Sequence, residues 1–117
     1  MALEDIDKLK EKVKKDPNSK LFVPLAEEYR KTGMLDEAIS VLMTGITSQP
    51  GYASARVSLG KIYLEKKMAP AAKEEFEKVI SAIPENLFAH KKLAEIYRDS
   101  GEKERAIGEY RVVLKLN

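Results

Sequence analysis

Cysteine is absent from this chain of 117 residues, which excludes disulfide bonds and thiolate metal sites. A reducing compartment suits that absence, and a cytoplasmic location is the expectation. Histidine occurs once, at His90. No histidine pair stands at metal-ligand spacing, no Ser-His-Asp set is apparent, and no glycine-rich phosphate loop occurs. A lone histidine reads as a packed or exposed structural residue. No apolar run approaches the about 20 residues of a membrane span. The first residues are charged, unlike a secretory signal. Neither sign of charge dominates: 21 basic and 19 acidic groups leave a net +2. A nucleic-acid ligand normally leaves a basic stripe, so that class is disfavoured. The expectation is therefore a chain without catalytic residues, metal or cofactor, binding neither nucleic acid nor a membrane.

What is present is a period. Leu25, Leu59 and Leu93 stand 34 apart, as do Tyr29, Tyr63 and Tyr97, and Ala38, Ala72 and Ala106. Pro50 and Pro84 keep the same interval. A small slot holds Ala26, Gly60 and Ala94, a bulky one Leu42, Phe76 and Tyr110, an aliphatic one Ile46, Ile80 and Leu114. A fixed period of this length indicates stacked helix–turn–helix units, each too thin to bury its apolar face alone. The small slots mark where the two helices of a unit approach closely. The tyrosines are long enough to reach a neighbouring helix, where the hydroxyl needs a partner.

The Leu-Gly pair, the Tyr three residues on, the small Ala, the bulky slot and the closing Pro resemble the tetratricopeptide repeat family. The resemblance implies an all-α fold: a right-handed α-α superhelix of three helix-turn-helix repeats plus an N-terminal helix. The repeats fall at 19–52, 53–86 and 87–117 within one domain, with a capping helix in 1–18. Related RNA-binding arrays run at 35 residues, whereas this chain keeps 34.

Ile6, Leu9 and Val13, with Leu3, recur at helical spacing over 2–15. Lysines and acids interleave on the other face, which reads as solvated rather than membrane-binding. The small slots there would hold Asp5 and Lys12, unsuited to close pairing, so this helix is expected to cap the first repeat. Asn18 or Ser19 is the expected N-cap of the next helix, over 19–32, with Pro24 early in it. Gly33 closes that helix in the left-handed conformation, and Lys67 stands where the other copies have Gly33 and Gly101. Further helices are expected to about 48, over 52–66, 70–82, 87–100 and 103–116, with Asn86 a candidate N-cap. Adjacent carboxylates (Glu4-Asp5, Glu27-Glu28, Glu74-Glu75) point about 100° apart on a helix and read as solvated faces. Met34 and Met68 read as core contacts.

The resemblance also implies a concave groove lined by the first helix of each repeat, holding a partner's peptide or helix. Its positions here are Lys20, Val23, Glu27, Arg30 and Lys31; Ser54, Val57, Lys61, Leu64 and Glu65; and Phe88, Lys91, Glu95, Arg98 and Asp99. They form an apolar seam with mixed charged flanks, slightly favouring an acidic partner. Co-chaperones of this family clamp a C-terminal carboxylate with lysines, asparagines and an arginine. Those positions hold Val23, Glu27, Ser58, Phe88 and Lys92, so only Lys92 suits that ligand. The expected function is a protein-interaction module within a larger protein or complex. The alternative is a scaffold that self-assembles through its C-terminal repeat, where Ile107, Val112, Val113 and Leu116 leave apolar surface.

Overall fold

The computed structural model describes residues 3–117, with side chains from Asp5 onward. It contains α1 (Leu3–Lys15), α2 (Phe22–Lys31), α3 (Leu35–Ser48), α4 (Ala53–Glu65), α5 (Ala69–Ala82), α6 (Leu87–Asp99) and α7 (Lys103–Leu116). Among the described residues there is no strand. The side chains of Leu3 and Glu4 lie outside the description.

Helices α2/α3, α4/α5 and α6/α7 form antiparallel pairs, and each second helix packs on the first helix of the next pair. The core is accordingly a ribbon. One cluster joins Phe22, Leu25, Leu42, Leu59 and Ile62 across α2, α3 and α4. A second joins Phe76, Val79, Leu93 and Ile96 across α5 and α6, and Tyr63 touches both. The radius of gyration is 15.3 Å, against about 13 Å for a spherical domain near this size.

The small slots work as the period implied. A Cβ on Gly60 would lie 2.7 Å from the fully buried Phe76 ring. Where repeat one has the smaller Leu42, the small slot widens to Ala26, and both are fully buried. Ala38, Ala72 and Ala106 are buried on the second helices.

The start of α2 differs from expectation. Neither Asn18 nor Ser19 caps it; Leu21 occupies the N-cap without a side-chain bond. The reason is Pro24. It has no N–H for the Lys20 carbonyl, which instead accepts from Val23 N at 3.2 Å, a tighter turn that delays the regular helix to Phe22. Ser19 Oγ accepts from Leu21 N at 3.1 Å within that turn. Asn86 does cap α6, its side chain accepting from Ala89 N at 2.8 Å.

Gly33, Lys67 and Gly101 close α2, α4 and α6 with φ of 81°, 61° and 81°. Each is followed by a 6→1 bond, from Met34 N to Tyr29 O, Met68 N to Tyr63 O and Glu102 N to Tyr97 O. Lysine in this region carries a strain glycine lacks. Lys67→Gly is therefore expected to stabilise by about 0.5–1 kcal/mol, the strain relief outweighing the greater unfolded-state freedom of glycine. Thermal unfolding followed by circular dichroism checks this, and an unchanged or lower midpoint contradicts it. Met34 packs on the first cluster, whereas Met68 is exposed.

Candidate functional site

Along one side α2 lies beside α4, and side chains of α4 reach α6, so the three first helices line one face. Arg30 of α2 donates to Glu65 of α4 at 3.1 Å. It also binds Glu27 one turn back through both Nε and Nη2. That bond to Arg30 holds the Glu27 carboxyl below its usual range and raises the Arg30 guanidinium. Lys92 pairs with Glu95 and Arg98 with Asp99. Arg98 also reaches the Tyr110 hydroxyl at 3.2 Å. Much of the inner-face charge is thus mutually paired, so the face is not a uniform basic strip.

Between α4 and α6 the face dips into a recess of about 380 Å3 lined by Lys61, Leu64, Glu65, Phe88 and Lys92. Phe88 is 37% exposed there while its ring leans on the buried Phe76, centroids 6.1 Å apart. Lys61 and Lys92 stand over the same ring, at 5.6 Å and 5.4 Å. Of the positions expected to line a groove, Lys61, Leu64, Glu65 and Phe88 meet in this recess, and Glu27 and Arg30 continue it on α2 through the Arg30–Glu65 bond. Val23 and Val57 are half-buried and pack into the two core clusters. Ser54 and Lys91 are exposed outside the recess, while Lys92, one position on, helps line it.

A second constellation is structural. Arg56 of α4 donates to Glu75 of α5 at 3.1 Å and to the Pro50 carbonyl at 3.3 Å. One period later, His90 of α6 meets Glu109 of α7 at 2.5 Å and the Pro84 carbonyl at 2.6 Å. A carbonyl only accepts, so His90 Nε2 carries a proton. Each clamp ties both helices of a repeat to the turn entering it. Repeat one has Phe22 and Val41 in the equivalent places. Its ring packs edge-on to Tyr52 at 5.9 Å, and the room for it comes from Gly45, where repeats two and three have Val79 and Val113.

Glu75 therefore does not belong to a solvated face: it is 9% exposed because the clamp draws it inward. Nor does Glu28. It stands in the slot of the buried Ile62 and Ile96, and its Oε2 is buried without a hydrogen-bond partner among the described residues. The tyrosines do reach neighbouring helices. The Tyr97 hydroxyl donates to Glu77 of α5 at 2.9 Å, and burial with that carboxylate pushes its pKa up to about 12. At the far end, α7 leaves Ile107, Tyr110 and Leu116 partly exposed and Leu114 74% exposed, with Val112 and Val113 half-buried.

The tetratricopeptide repeat pattern matches residues 20–52 and again 53–86. The chain belongs to the tetratricopeptide repeat family. The chloroplastic tetratricopeptide repeat domain-containing protein PYG7 of Arabidopsis thaliana is 32% identical over 71 residues, 61% of this chain and 24% of that protein. A crystal structure of MamA superposes with a TM-score of 0.86 at 25% identity, covering 97% of this chain and 62% of that one. A second MamA structure, MSR-1 C2, gives 0.78 at 20% identity, covering 95% and 64%. The chain thus spans less than two-thirds of these relatives' lengths. The all-α superhelix is the fold of this family, and a protein–protein interaction module is its function. Among the described residues no helix is long and apolar enough to cross a membrane.

Proposed function

We propose that the inner face of α2, α4 and α6 receives a peptide or helix of a partner protein, anchored at Phe88. The observation that carries this reading is the exposed ring flanked by two ammonium groups. Such a site suits an apolar side chain next to a carboxylate: the ring and Leu64 take the apolar group, and Lys61 and Lys92 take the charge. Apolar anchors supply affinity and charges set register. The Glu27–Arg30–Glu65 chain marks the far end and disfavours acidic groups there.

Charge reversal at Lys61 together with Lys91 is expected to weaken an acidic partner about tenfold, or about 1.4 kcal/mol. Lys61→Glu with Lys92→Glu is expected to weaken it further, because Lys92 lines the recess. Quantitative pull-down with the variants checks this; partners retained equally by both double variants refute the groove.

A second reading is self-association through the α7 face, favoured by Leu114. The same slot is largely covered in the earlier repeats, at Ile46 and Ile80. Sedimentation over a wide concentration range separates it from a purely groove-binding monomer.

A further inference from the structure

The chain carries both halves of one more repeat junction, one open and one covered. At each internal junction a second helix packs on the next first helix, α3 on α4 and α5 on α6. The second helix offers Leu42 with Ile46, then Phe76 with Ile80, buried or half-buried there. In α7 the corresponding Tyr110 and Leu114 are exposed. The other half is α2, whose Leu25 and Tyr29 fill the slots of Leu59 and Tyr63 in α4. There α1 lies on it, burying Ile6 and packing Leu9 and Val13.

Helix α1 is an imperfect substitute for a second helix. Aligning Leu9 and Val13 with Leu42 and Ile46 sets Asp5 and Lys12 against Ala38 and Gly45. Recesses of about 310 Å3 and 520 Å3 remain beside Val13, where Leu25 and Val41 line both. Beneath, α2 holds Glu28, whose Oε1 lies 3.6 Å from Lys31 Nζ one turn on, while its buried Oε2 has no hydrogen-bond partner among the described residues. Its equivalents share clusters with residues at the start of the preceding second helix: Ile62 with Leu35, and Ile96 with Ala69. The Lys66–Asp36 ion pair fixes that antiparallel register, the end of a first helix against the start of a second. The third residue in the Leu35, Ala69 series is the exposed Lys103.

We propose that the chain self-associates head to tail: α7 of one copy displaces α1 and seats on α2 of the next, pairing Lys103 with Glu28 of the partner subunit. The occupant is a second copy because the junction continues the one already repeated inside the chain, and because the aliphatic pair there becomes a complementary charged pair. Helix α1 is then a removable cover that limits assembly. This rests on the self-association reading above and adds the face, the register and the control.

The test is sedimentation of the full chain over a wide concentration range. Ile6→Glu, which loosens α1, is expected to lower the concentration needed for assembly at least tenfold, and adding Leu114→Glu to return monomer. In the otherwise unchanged chain, Glu28→Lys and Lys103→Glu each weaken assembly, and the two together restore it. Because the chain has no cysteine, mixing a Glu28→Cys protein with a Lys103→Cys protein is expected to yield the mixed disulfide in preference to either symmetric one. The cysteine mixture decides the matter even if Ile6→Glu or Glu28→Lys fails to fold. Assemblies indifferent to the charge swap, with no preferred mixed disulfide, leave self-association standing and overturn this arrangement. Strict monomers at every concentration, in the parent and in Ile6→Glu, overturn both.

Discussion

Gly45→Ala is expected to destabilise the chain by about 1–3 kcal/mol, through the addition of one methyl group. The new Cβ would fall within the van der Waals envelope of the Phe22 ring, which is 2% exposed and so cannot swing into solvent. That ring is hemmed in by Tyr52, so relief requires moving α2 away from α3. For a domain near this size the loss corresponds to a fall in midpoint of about 4–8 °C per kcal/mol. Gly108→Ala makes an internal control. A Cβ there meets nothing within 4 Å, so helix propensity alone acts and the change is expected to stabilise by up to about 1 kcal/mol. Phe22→Leu, made together with Gly45→Ala, is expected to recover part of the loss, giving a coupling energy between the two sites. Urea unfolding of Gly45→Ala, Phe22→Leu, their double variant and Gly108→Ala measures this. Equal and additive effects at Gly45 and Phe22 would show that the ring does not fill the space the glycine leaves.

The contrast between Gly60 and Gly45 shows which parts of the fold were legible in the residues. Gly60 repeats as Ala26, Gly60 and Ala94, so the period alone carries its role. Gly45 does not repeat. Its meaning appears only when it is read jointly with Phe22, a second departure from the period that it compensates. The Arg56–Glu75 and His90–Glu109 clamps do repeat, yet the exchange of Arg for His hides the recurrence. The adjacent carboxylates are alike in sequence, and burial separates them: Glu75 is drawn in by Arg56 on the neighbouring helix, whereas Glu28, with only the Lys31 of its own helix at 3.6 Å, sits in an aliphatic slot. Tyr110 and Leu114 fall in slots of the repeat, but a slot is core only where another helix covers it.

The inner face was less legible for a geometric reason. Neighbouring helix positions differ by about 100°, and which of Lys91 and Lys92 meets Lys61 depends on how α6 is rotated against α4. Repeat spacing does not encode that rotation. The packing of Phe88 on Phe76 does, because it turns the Phe88 edge of α6, with Lys92, towards Lys61.

The sign of one substitution is expected to reverse with its context. Val79→Gly in the parent chain removes a fully buried side chain and places glycine inside α5, costing on the order of 3 kcal/mol. Arg56→Phe with Glu75→Val also destabilises, because the new ring meets Val79 as Phe22 would meet a side chain at position 45; overpacking of this kind costs about 1–3 kcal/mol. In that double variant Val79→Gly is expected to stabilise, since the triple change installs repeat one's own solution of Phe22, Val41 and Gly45 in repeat two. A mostly buried ion pair replaced by well-packed apolar groups is often neutral or better, so the triple variant is expected within about 1.5 kcal/mol of the parent. Truncating Glu75 alone, by contrast, strands Arg56 and costs about 1.5–3 kcal/mol. Denaturant unfolding of the parent, Val79→Gly, the double and the triple variants completes the cycle. If Val79→Gly destabilises both backgrounds equally, the two repeats do not solve the same packing problem in interchangeable ways.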